Sequence, residues 1–276
     1  MKKNKMMLGL VALTALVIAA CGAETSDSTT EKETITVGTS PGPYSELFID
    51  GIIPILEGEG YTVEVTDFTD LRSADVALQE GAVDVNVDQH LAYMNNFNEE
   101  AGADLTAITP IPTVPTGLYS QSKDSGEAIA EGDQIGIPDD ASNAARALLL
   151  LQKAGWITLD DSVEPMQATT SDIVENSYNL DIVEMGSAQI PRSLSDIDFG
   201  VVPGSMLYAA GMSSNDSLLN EDILPDLILH AVVNGENQDT EWAQAIVSAY
   251  QSEEFMAHME EVNADNYWFI PEELQQ

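Results

Sequence analysis

Arg146 is the clearest candidate for ligand chemistry in this sequence. It lies in the first turn of a predicted helix starting near Ser142, just after the predicted strand 134–137. Asp139, Asp140 or Ser142 can cap that helix. An arginine there opposes the helix dipole, and only nine of the 276 residues are basic. The guanidinium can bind a ligand carboxylate through two parallel hydrogen bonds. Alternatively, it forms a surface ion pair with one of the 47 acidic side chains.

The remaining reactive residues form no catalytic or cofactor pattern. Three histidines, His90, His230 and His258, occur without cysteines or carboxylates at zinc-ligand spacing. The sequence has no glycine-rich dinucleotide motif, Walker motif, Gly-x-Ser-x-Gly or His-Glu-x-x-His. A hydrolase would need a nucleophile with a base in reach. We therefore expect a protein that is not an enzyme and that uses no cofactor and no metal.

Strand-like and helical segments alternate along the chain. The predicted strands are 35–38, 61–68, 83–87, 105–108, 134–137, 181–183, 199–202 and 227–233. The predicted helices are 47–56, 74–79, 91–97, 142–154, a helix beginning near Ser171, 188–194 and a long helix 240–262. This alternation predicts parallel sheets covered by helices. Ligands of such sheets bind beyond the carboxyl ends of the strands, where Asn143 would share a helix face with Arg146.

Three prolines between Thr109 and Thr116 interrupt the alternation and indicate a crossing between two α/β lobes. Two sets of alternating strands and helices, joined by this crossing, predict two α/β lobes.

The first 21 residues are typical of a secretory leader. Three lysines precede an apolar run from Leu8 to Ala20, which is too short for a permanent membrane span. Ile18-Ala19-Ala20-Cys21 resembles a bacterial lipobox, in which the cysteine receives a lipid; an ordinary signal peptide with a chance cysteine is the alternative. Cys21 is the only cysteine, so no intramolecular disulfide can form. Residues 22–33 are polar and predict a flexible tether.

The charge of the chain excludes several partners. The formal net charge is −38. Without the three lysines of the leader, 47 acidic and 6 basic residues remain, and the net charge is −41. Such a surface repels nucleic acids and anionic lipid headgroups. The acidity fits an adaptation to salt or alkali, or simple drift of the surface composition.

Seven short segments of the chain carry a family resemblance. They are Val37–Tyr44, Asp67–Asp70, Val83–Asn86 followed by Gln89-His90, Gly117–Ser120, Asn143–Gln152, Asp172–Asn176 and Ala188–Arg192. Together they resemble the MetQ/NlpA family of methionine-type substrate-binding lipoproteins that serve ABC importers. The resemblance extends from Thr34 to the C-terminus.

The resemblance implies a periplasmic-binding-protein-like fold, with two α/β lobes and a ligand cleft between them. It further implies that lobe 1 contains residues 34–112, that lobe 2 contains residues 113–233, and that residues 234–276 return to lobe 1. It implies a receptor that captures methionine, a related amino acid or a short peptide and delivers it to an ABC permease and its ATPase. A lipid on Cys21 would hold the receptor at the extracytoplasmic face of the cell membrane. The alternative is a surface lipoprotein with an adhesive or other non-transport role.

Members of the family bind the carboxylate and amino group of the ligand with an arginine and asparagines, and its side chain with aromatic residues and a histidine. Arg146, Asn143, His90 and Tyr93 match these positions. The resemblance therefore implies that these four side chains bind the ligand. Arg192, in the segment Ala188–Arg192, is expected to affect folding more than ligand contact.

Other positions depart from the family pattern. Leu71 stands in place of a tyrosine, Val87 and Asp88 in place of an aromatic pair, and Pro203 and Leu229 in place of asparagines. These departures predict that free L-methionine is not the best ligand.

Asp88 leaves several alternatives open. It can pair with Arg72, receive a cationic group of the ligand, or point to solvent while Val87 alone lines the pocket.

Overall fold

The computed structural model describes residues 33–263 and 267–275. The predicted leader, the lipobox cysteine Cys21 and all of the predicted tether except Glu33 lie outside the described residues. No helix within the described ranges is both long and apolar enough to cross a bilayer.

Twelve strands and nine α-helices are found among the described residues. The strands are β1 (Thr34–Thr39), β2 (Thr62–Asp67), β3 (Val85–His90), β4 (Leu105–Pro110), β5 (Gly117–Tyr119), β6 (Gln134–Pro138), β7 (Ile157–Leu159), β8 (Ile173–Asn176), β9 (Asp181–Met185), β10 (Phe199–Val202), β11 (Leu219–Asn220) and β12 (Leu229–Asn234). The helices are α1 (Pro43–Leu47), α2 (Ile53–Gly58), α3 (Leu71–Gln79), α4 (Leu91–Ala101), α5 (Ala141–Lys153), α6 (Ile190–Ser193), α7 (Gly204–Ala209), α8 (Glu241–Tyr250) and α9 (Glu253–Val262). A π-helical turn, Phe48–Ile52, joins α1 to α2.

The strands form two five-stranded sheets, which define two lobes. The sheet of the first lobe has the order β2-β1-β3-β12-β4, and that of the second lobe has the order β11-β5-β10-β6-β9. A separate hairpin pairs β7 with β8. The two sheets and their helices agree with the predicted α/β fold of two lobes.

The prediction of parallel sheets is only partly right. Strands β1, β2 and β3 are parallel, as are β6, β9 and β10. However, β12 runs antiparallel to both β3 and β4, and β5 runs antiparallel to β10. Strands β5 and β12 follow residues 111–116 and 221–228, which contain no α-helix, so neither strand enters its sheet after a crossover helix. The alternation of segments alone does not reveal this.

Strand β12 also bears on the predicted lobe boundaries. Its residues pair with β3 and β4, so the chain is already part of the first sheet at Leu229. The division into lobes stays a prediction, and this pairing favours a return to lobe 1 near residue 229 rather than residue 234.

Two helix predictions are wrong. The helix predicted to begin near Ser171 is a single 3-10 turn, Thr170–Asp172, followed by β8. Thr169 and Asp172 form a reciprocal capping box on this turn, and the β-branched Ile173 and Val174 then favour a strand. The long helix predicted for 240–262 is two helices, because Ser252 starts α9 by accepting a hydrogen bond from Phe255 N.

Each lobe has its own hydrophobic core. In the first lobe, Ile35, Val37, Val85 and Val87 point from the sheet toward helices α1, α2, α8 and α9. In the second lobe, the leucines of α5 pack on β6 and β10. Two separately packed lobes leave the space between the sheet edges for a ligand.

Candidate ligand-binding site

A cavity of about 540 Å³ lies between the two lobes. Its first-lobe wall consists of Ser40, Pro41, Tyr44, Thr69, Asp70, Leu71, Arg72, Asp88, Gln89, His90, Tyr93 and Leu229. Its second-lobe wall consists of Asp140, Asn143, Arg146, Ser187, Ala188, Arg192, Pro203, Gly204, Ser205, Met206 and Ala209. The parallel strands β1, β3 and β6 end at this cavity, so the loops and helix starts that follow them form its walls.

Helix α5 brings Asn143 and Arg146 to the cavity. Asp140 caps the helix, because its Oδ1 accepts a hydrogen bond from Asn143 N at 3.0 Å. The same carboxylate oxygen accepts Asn143 Nδ2 at 3.0 Å, which fixes the amide of that side chain. The predicted helix start and the predicted shared face are both observed.

Arg146 forms a buried ion pair with Glu221. Arg146 Nε donates to Glu221 Oε2 at 2.6 Å, and Nη2 donates to Glu221 Oε1. Both side chains are about 5% exposed or less, so this is not the surface pair that the sequence allowed as an alternative. A guanidinium has five N–H donors, and Glu221 engages two of its nitrogens. Arg146 therefore keeps donors at the cavity wall.

The charge of Arg146 is secured by this pair. Burial acts to lower the pKa of Arg146, but the charge and hydrogen bonds of Glu221 raise it above its usual value. Glu221 is itself fixed by Thr116 N, which donates to Oε1 at 2.7 Å. The result is a permanently charged group in a rigid position.

The side chain of His90, in the first lobe, forms a hydrogen bond across the cleft with the second lobe. Its Nδ1 accepts from Tyr93 N at 3.2 Å, which caps α4, and this leaves the proton on Nε2. Nε2 lies 3.3 Å from Asn143 Oδ1 and donates to it. Burial, followed by the charge of Arg146, lowers the pKa of His90 to about 3. His90 is therefore a neutral donor at physiological pH.

The carboxylate of Asp88 lies in the cavity wall and accepts hydrogen bonds from neutral groups. Its Oδ2 accepts from Ser40 N at 2.8 Å, Ser40 Oγ at 2.9 Å and Ser45 Oγ at 2.7 Å. Burial raises the pKa of Asp88 to about 6, although the hydrogen bonds from Ser45 and Ser40 act to lower it. Arg72 pairs with Glu100 instead, at 3.0 Å, so the alternative of an Asp88–Arg72 pair is wrong.

Not every predicted site residue reaches the cavity. Leu71 and Tyr93 line it, together with Asp88. Val87 is fully buried and packs in the core of the first lobe, because neighbouring residues of β3 point to opposite faces of the sheet. Arg192, assigned to folding from the sequence, has an exposed side chain and lines the cavity.

A fully buried carboxylate lies behind the cavity wall. Asp75 is fully buried on α3 and accepts a hydrogen bond from Gln89 Nε2 at 2.6 Å. Its Oδ2 and Gln89 Oε1 have no partner among the described residues. Burial raises the pKa of Asp75 to about 8, so this side chain is mainly protonated at neutral pH.

Sequence reasoning missed the residues that fix Arg146 and Asp88 by hydrogen bonds. Glu221 lies 75 positions after Arg146 and is one of 47 acidic residues, so no local pattern distinguishes it. Ser40 lies in Val37–Tyr44, a segment that carries the family resemblance, but its contact with Asp88 depends on the pairing of β1 with β3.

Comparisons with known proteins agree with this architecture. The sequence model of the family described as NlpA lipoprotein matches residues 35–270. The D-methionine-binding lipoprotein MetQ of Salmonella typhi is 32% identical over 243 residues, which are 87% of this chain and 88% of that protein.

Solved structures of substrate-binding proteins confirm the predicted periplasmic-binding-protein-like fold. A nutrient binding protein from Burkholderia cenocepacia, bound to methionine, superposes with a TM-score of 0.77 at 33% identity over 82% of this chain and 95% of that one. The substrate binding protein of a methionine transporter from Streptococcus pneumoniae gives a TM-score of 0.78 at 32% identity, covering 86% and 95%. With the matched segments, the two lobes and the cavity between them, these similarities show that the chain belongs to the NlpA lipoprotein family.

Proposed function

We propose that this protein is the receptor of an ABC importer and binds an amino acid or a short peptide in the cavity between its lobes. The observation that carries the proposal is Arg146, a buried cation that keeps hydrogen-bond donors at the cavity wall. Relatives with the same fold are methionine-binding proteins by name. A ligand carboxylate is the group that a rigid guanidinium recognises best.

We infer that free L-methionine is not the preferred ligand. The cavity wall contains Leu71, Pro203 and Leu229 where the family resemblance implied a tyrosine and two asparagines. An aromatic contact contributes about 0.5–1.5 kcal/mol beyond burial of its area, so its loss weakens the enclosure of a thioether. A volume of about 540 Å³ also has room for a ligand larger than one amino acid.

Ligand entry requires the lobes to separate. His90 and Asn143 join the lobes across the cavity, and Tyr208 on α7 donates to Glu46 on α1 at another point. These hydrogen bonds must break when the cleft opens and can form again over a bound ligand. Such hinge opening and closing accounts for capture and release without any chemical step.

The site supports binding rather than catalysis. His90 is neutral and engaged on both nitrogens, and Asp88 is surrounded by serine donors. Neither group activates a nucleophile. We therefore propose a protein that is not an enzyme.

We further propose that a lipid on Cys21 anchors the protein at the outer face of the cell membrane, beside its permease and ATPase. The basis is the lipobox-like Ile18-Ala19-Ala20-Cys21 and membership of a lipoprotein family. Cys21→Ala should release the protein from the membrane fraction into the medium or periplasm. Unchanged membrane fractionation of this variant would refute the lipid anchor.

The ligand can be identified directly. The protein is purified, denatured, and the released small molecules are identified by mass spectrometry. The proposal predicts an amino acid or a short peptide at close to one molecule per chain. A stoichiometric sugar, nucleotide or metal complex would instead show that the cleft serves another class of solute.

A further inference from the structure

The charged side chains that line the cavity differ in what neutralises them. Arg146 pairs with Glu221, Arg72 pairs with Glu100, and the side chain of Arg192 is exposed to solvent. Asp140 and Asp70 are helix caps, which accept backbone N–H groups at the starts of α5 and α3. Asp88 also has only neutral partners within the described ranges, the hydroxyl and backbone N–H groups of Ser40 and Ser45, but it lies on β3 and is not the cap residue of a helix.

The two oxygens of Asp88 are unequally used. Oδ2 accepts three hydrogen bonds from Ser40 and Ser45. Oδ1 shares the single hydrogen of the Ser45 hydroxyl, at 2.9 Å, with Oδ2, and the backbone N–H of Ser45 also acts on the carboxylate. Oδ1 therefore retains acceptor capacity in the wall of the cavity.

A half-buried carboxylate such as Asp88, with no cation beside it, is electrostatically unfavourable. The raised pKa of Asp88, about 6, reflects this burial, yet it leaves the group ionised at neutral pH. A ligand that brings a cationic nitrogen would supply the missing counter-charge, whereas a ligand without one would enclose the carboxylate further from water. The same cavity offers Arg146 to a carboxylate.

We propose that Asp88 Oδ1 binds the ammonium group of the ligand and that Asp88 makes the cleft selective for molecules with an ammonium as well as a carboxylate. The inference rests on the proposed function, because Arg146 must bind the carboxylate of the same ligand. It assigns to Asp88 a role in specificity. Organic acids that lack the ammonium are rejected.

A purely structural role for Asp88 makes a different prediction. The carboxylate connects β3 to the turn before α1 through Ser40 and Ser45. If it served only to fix this turn, its removal would weaken all ligands to the same degree. The two roles therefore separate when ligands with and without an ammonium are compared.

The test uses two pairs of probes that differ only in the ammonium. The first pair is L-methionine and 4-(methylthio)butanoate, and the second is glycyl-L-methionine and N-acetyl-L-methionine. Calorimetric dissociation constants are measured at pH 7.5 for the wild type and for Asp88→Asn. Asp67→Asn is the matched control, because Asp67 accepts from Thr39 Oγ1 at 2.7 Å and is not part of the cavity wall.

In the wild type and in Asp67→Asn, the ammonium should strengthen binding by about ten- to a hundredfold, the range of a charge-assisted hydrogen bond. In Asp88→Asn the preference for the probe that carries the ammonium should fall below about threefold. A wild type without the preference, or an Asp88→Asn variant that keeps it, would overturn the inference while leaving the proposed function intact. If the wild type binds none of the four probes, the inference is overturned, whereas the proposed function is decided separately by the small molecule that the denatured protein releases.

A measurement on the wild type keeps the inference testable if Asp88→Asn does not fold. Protonation of Asp88 between pH 7.5 and pH 5 should reduce the preference for glycyl-L-methionine over N-acetyl-L-methionine about tenfold. The other groups near the carboxylate do not change charge in this range in the direction required: His90 has its pKa lowered to about 3 and stays neutral, Asp75 loses charge only around pH 8, and burial raises the pKa values of Tyr44 and Tyr250. A preference that is constant with pH would contradict the inference.

Discussion

At the scale of single residues, Arg146 and Glu221 depend on each other. Arg146→Ala removes the proposed carboxylate contact and also leaves Glu221 buried without a counter-charge. We expect it to weaken binding by about ten- to a hundredfold and to reduce the free energy of unfolding by about 3–5 kcal/mol.

Glu221→Gln separates the two effects. It should also destabilise the fold, but Arg146 remains free to bind the ligand carboxylate, so affinity should be retained. Equal losses of affinity in both variants, measured by calorimetry, would assign Arg146 a structural role only.

Asp75 gives a prediction for stability against pH. Its pKa is raised by burial to about 8 from an ordinary value near 3.8, so the folded state binds a proton that the unfolded state has lost over this range. Stability therefore falls as pH rises from about 4 to 8, by up to about 1.4 kcal/mol per pH unit from this group. Asp75→Asn, which resembles the protonated acid, should flatten the profile. Urea unfolding at pH 5, 6, 7 and 8 tests this, and identical slopes for both proteins would show that Asp75 is not the cause.

The sequence identified those site residues whose position follows from local pattern or from family resemblance. Arg146 and Asn143 follow from a helix start after a strand, and His90 and Tyr93 from matched segments. Val87 was wrongly assigned to the ligand site. The sequence of β3 does not show which of its residues face the core, because its apolar and polar residues fit either face of the sheet.

At the scale of secondary structure elements, the start of α5 is the part that positions the proposed ligand contacts. Asp140→Ala removes the cap and the hydrogen bond that fixes the amide of Asn143. We expect a loss of about 0.5–2 kcal/mol in the free energy of unfolding, together with weaker ligand binding. Thr240→Ala is the matched control, since Thr240 caps α8 away from the cavity. It should lower stability to a similar extent and leave affinity unchanged. If both variants keep wild-type affinity, the cap does not position Asn143 for the ligand.

Elements with strong local signals were predictable from the sequence. β1 and β6 are runs of β-branched and apolar residues that end at turns, and α5 is an amphipathic helix with a cap. The short elements β5, β7, β11 and α7 carry too few residues for a periodic signal and are defined by their partners in the fold. The break at Ser252 is a two-residue feature within a helical pattern.

At the scale of the whole molecule, the net charge of −38 gives a prediction that the fold does not. If the acidity is an adaptation to salt, screening of the repulsion between carboxylates should raise the melting temperature markedly between low and molar NaCl. Thermal unfolding monitored by circular dichroism at several NaCl concentrations tests this. A flat salt profile would reject the adaptation to salt and leave an adaptation to alkali or drift of the surface composition.

The two-lobe architecture was predictable because the sequence alternates strand-like and helical segments in two sets around a proline-rich crossing. The cavity itself was not, since it depends on how the two lobes meet. Contacts such as His90 with Asn143, and Glu46 with Tyr208, join residues 53 and 162 positions apart.

The central claim is that the cavity binds an amino acid or a short peptide through Arg146. The most direct test is a calorimetric titration of the wild type and Arg146→Ala with L-methionine, D-methionine, glycyl-L-methionine and a panel of other amino acids. We predict that at least one of these binds the wild type at one site per chain, that a ligand other than L-methionine binds most tightly, and that Arg146→Ala loses at least tenfold in affinity. A wild type that binds none of them, or an Arg146→Ala variant that binds as tightly as the wild type, would contradict this account.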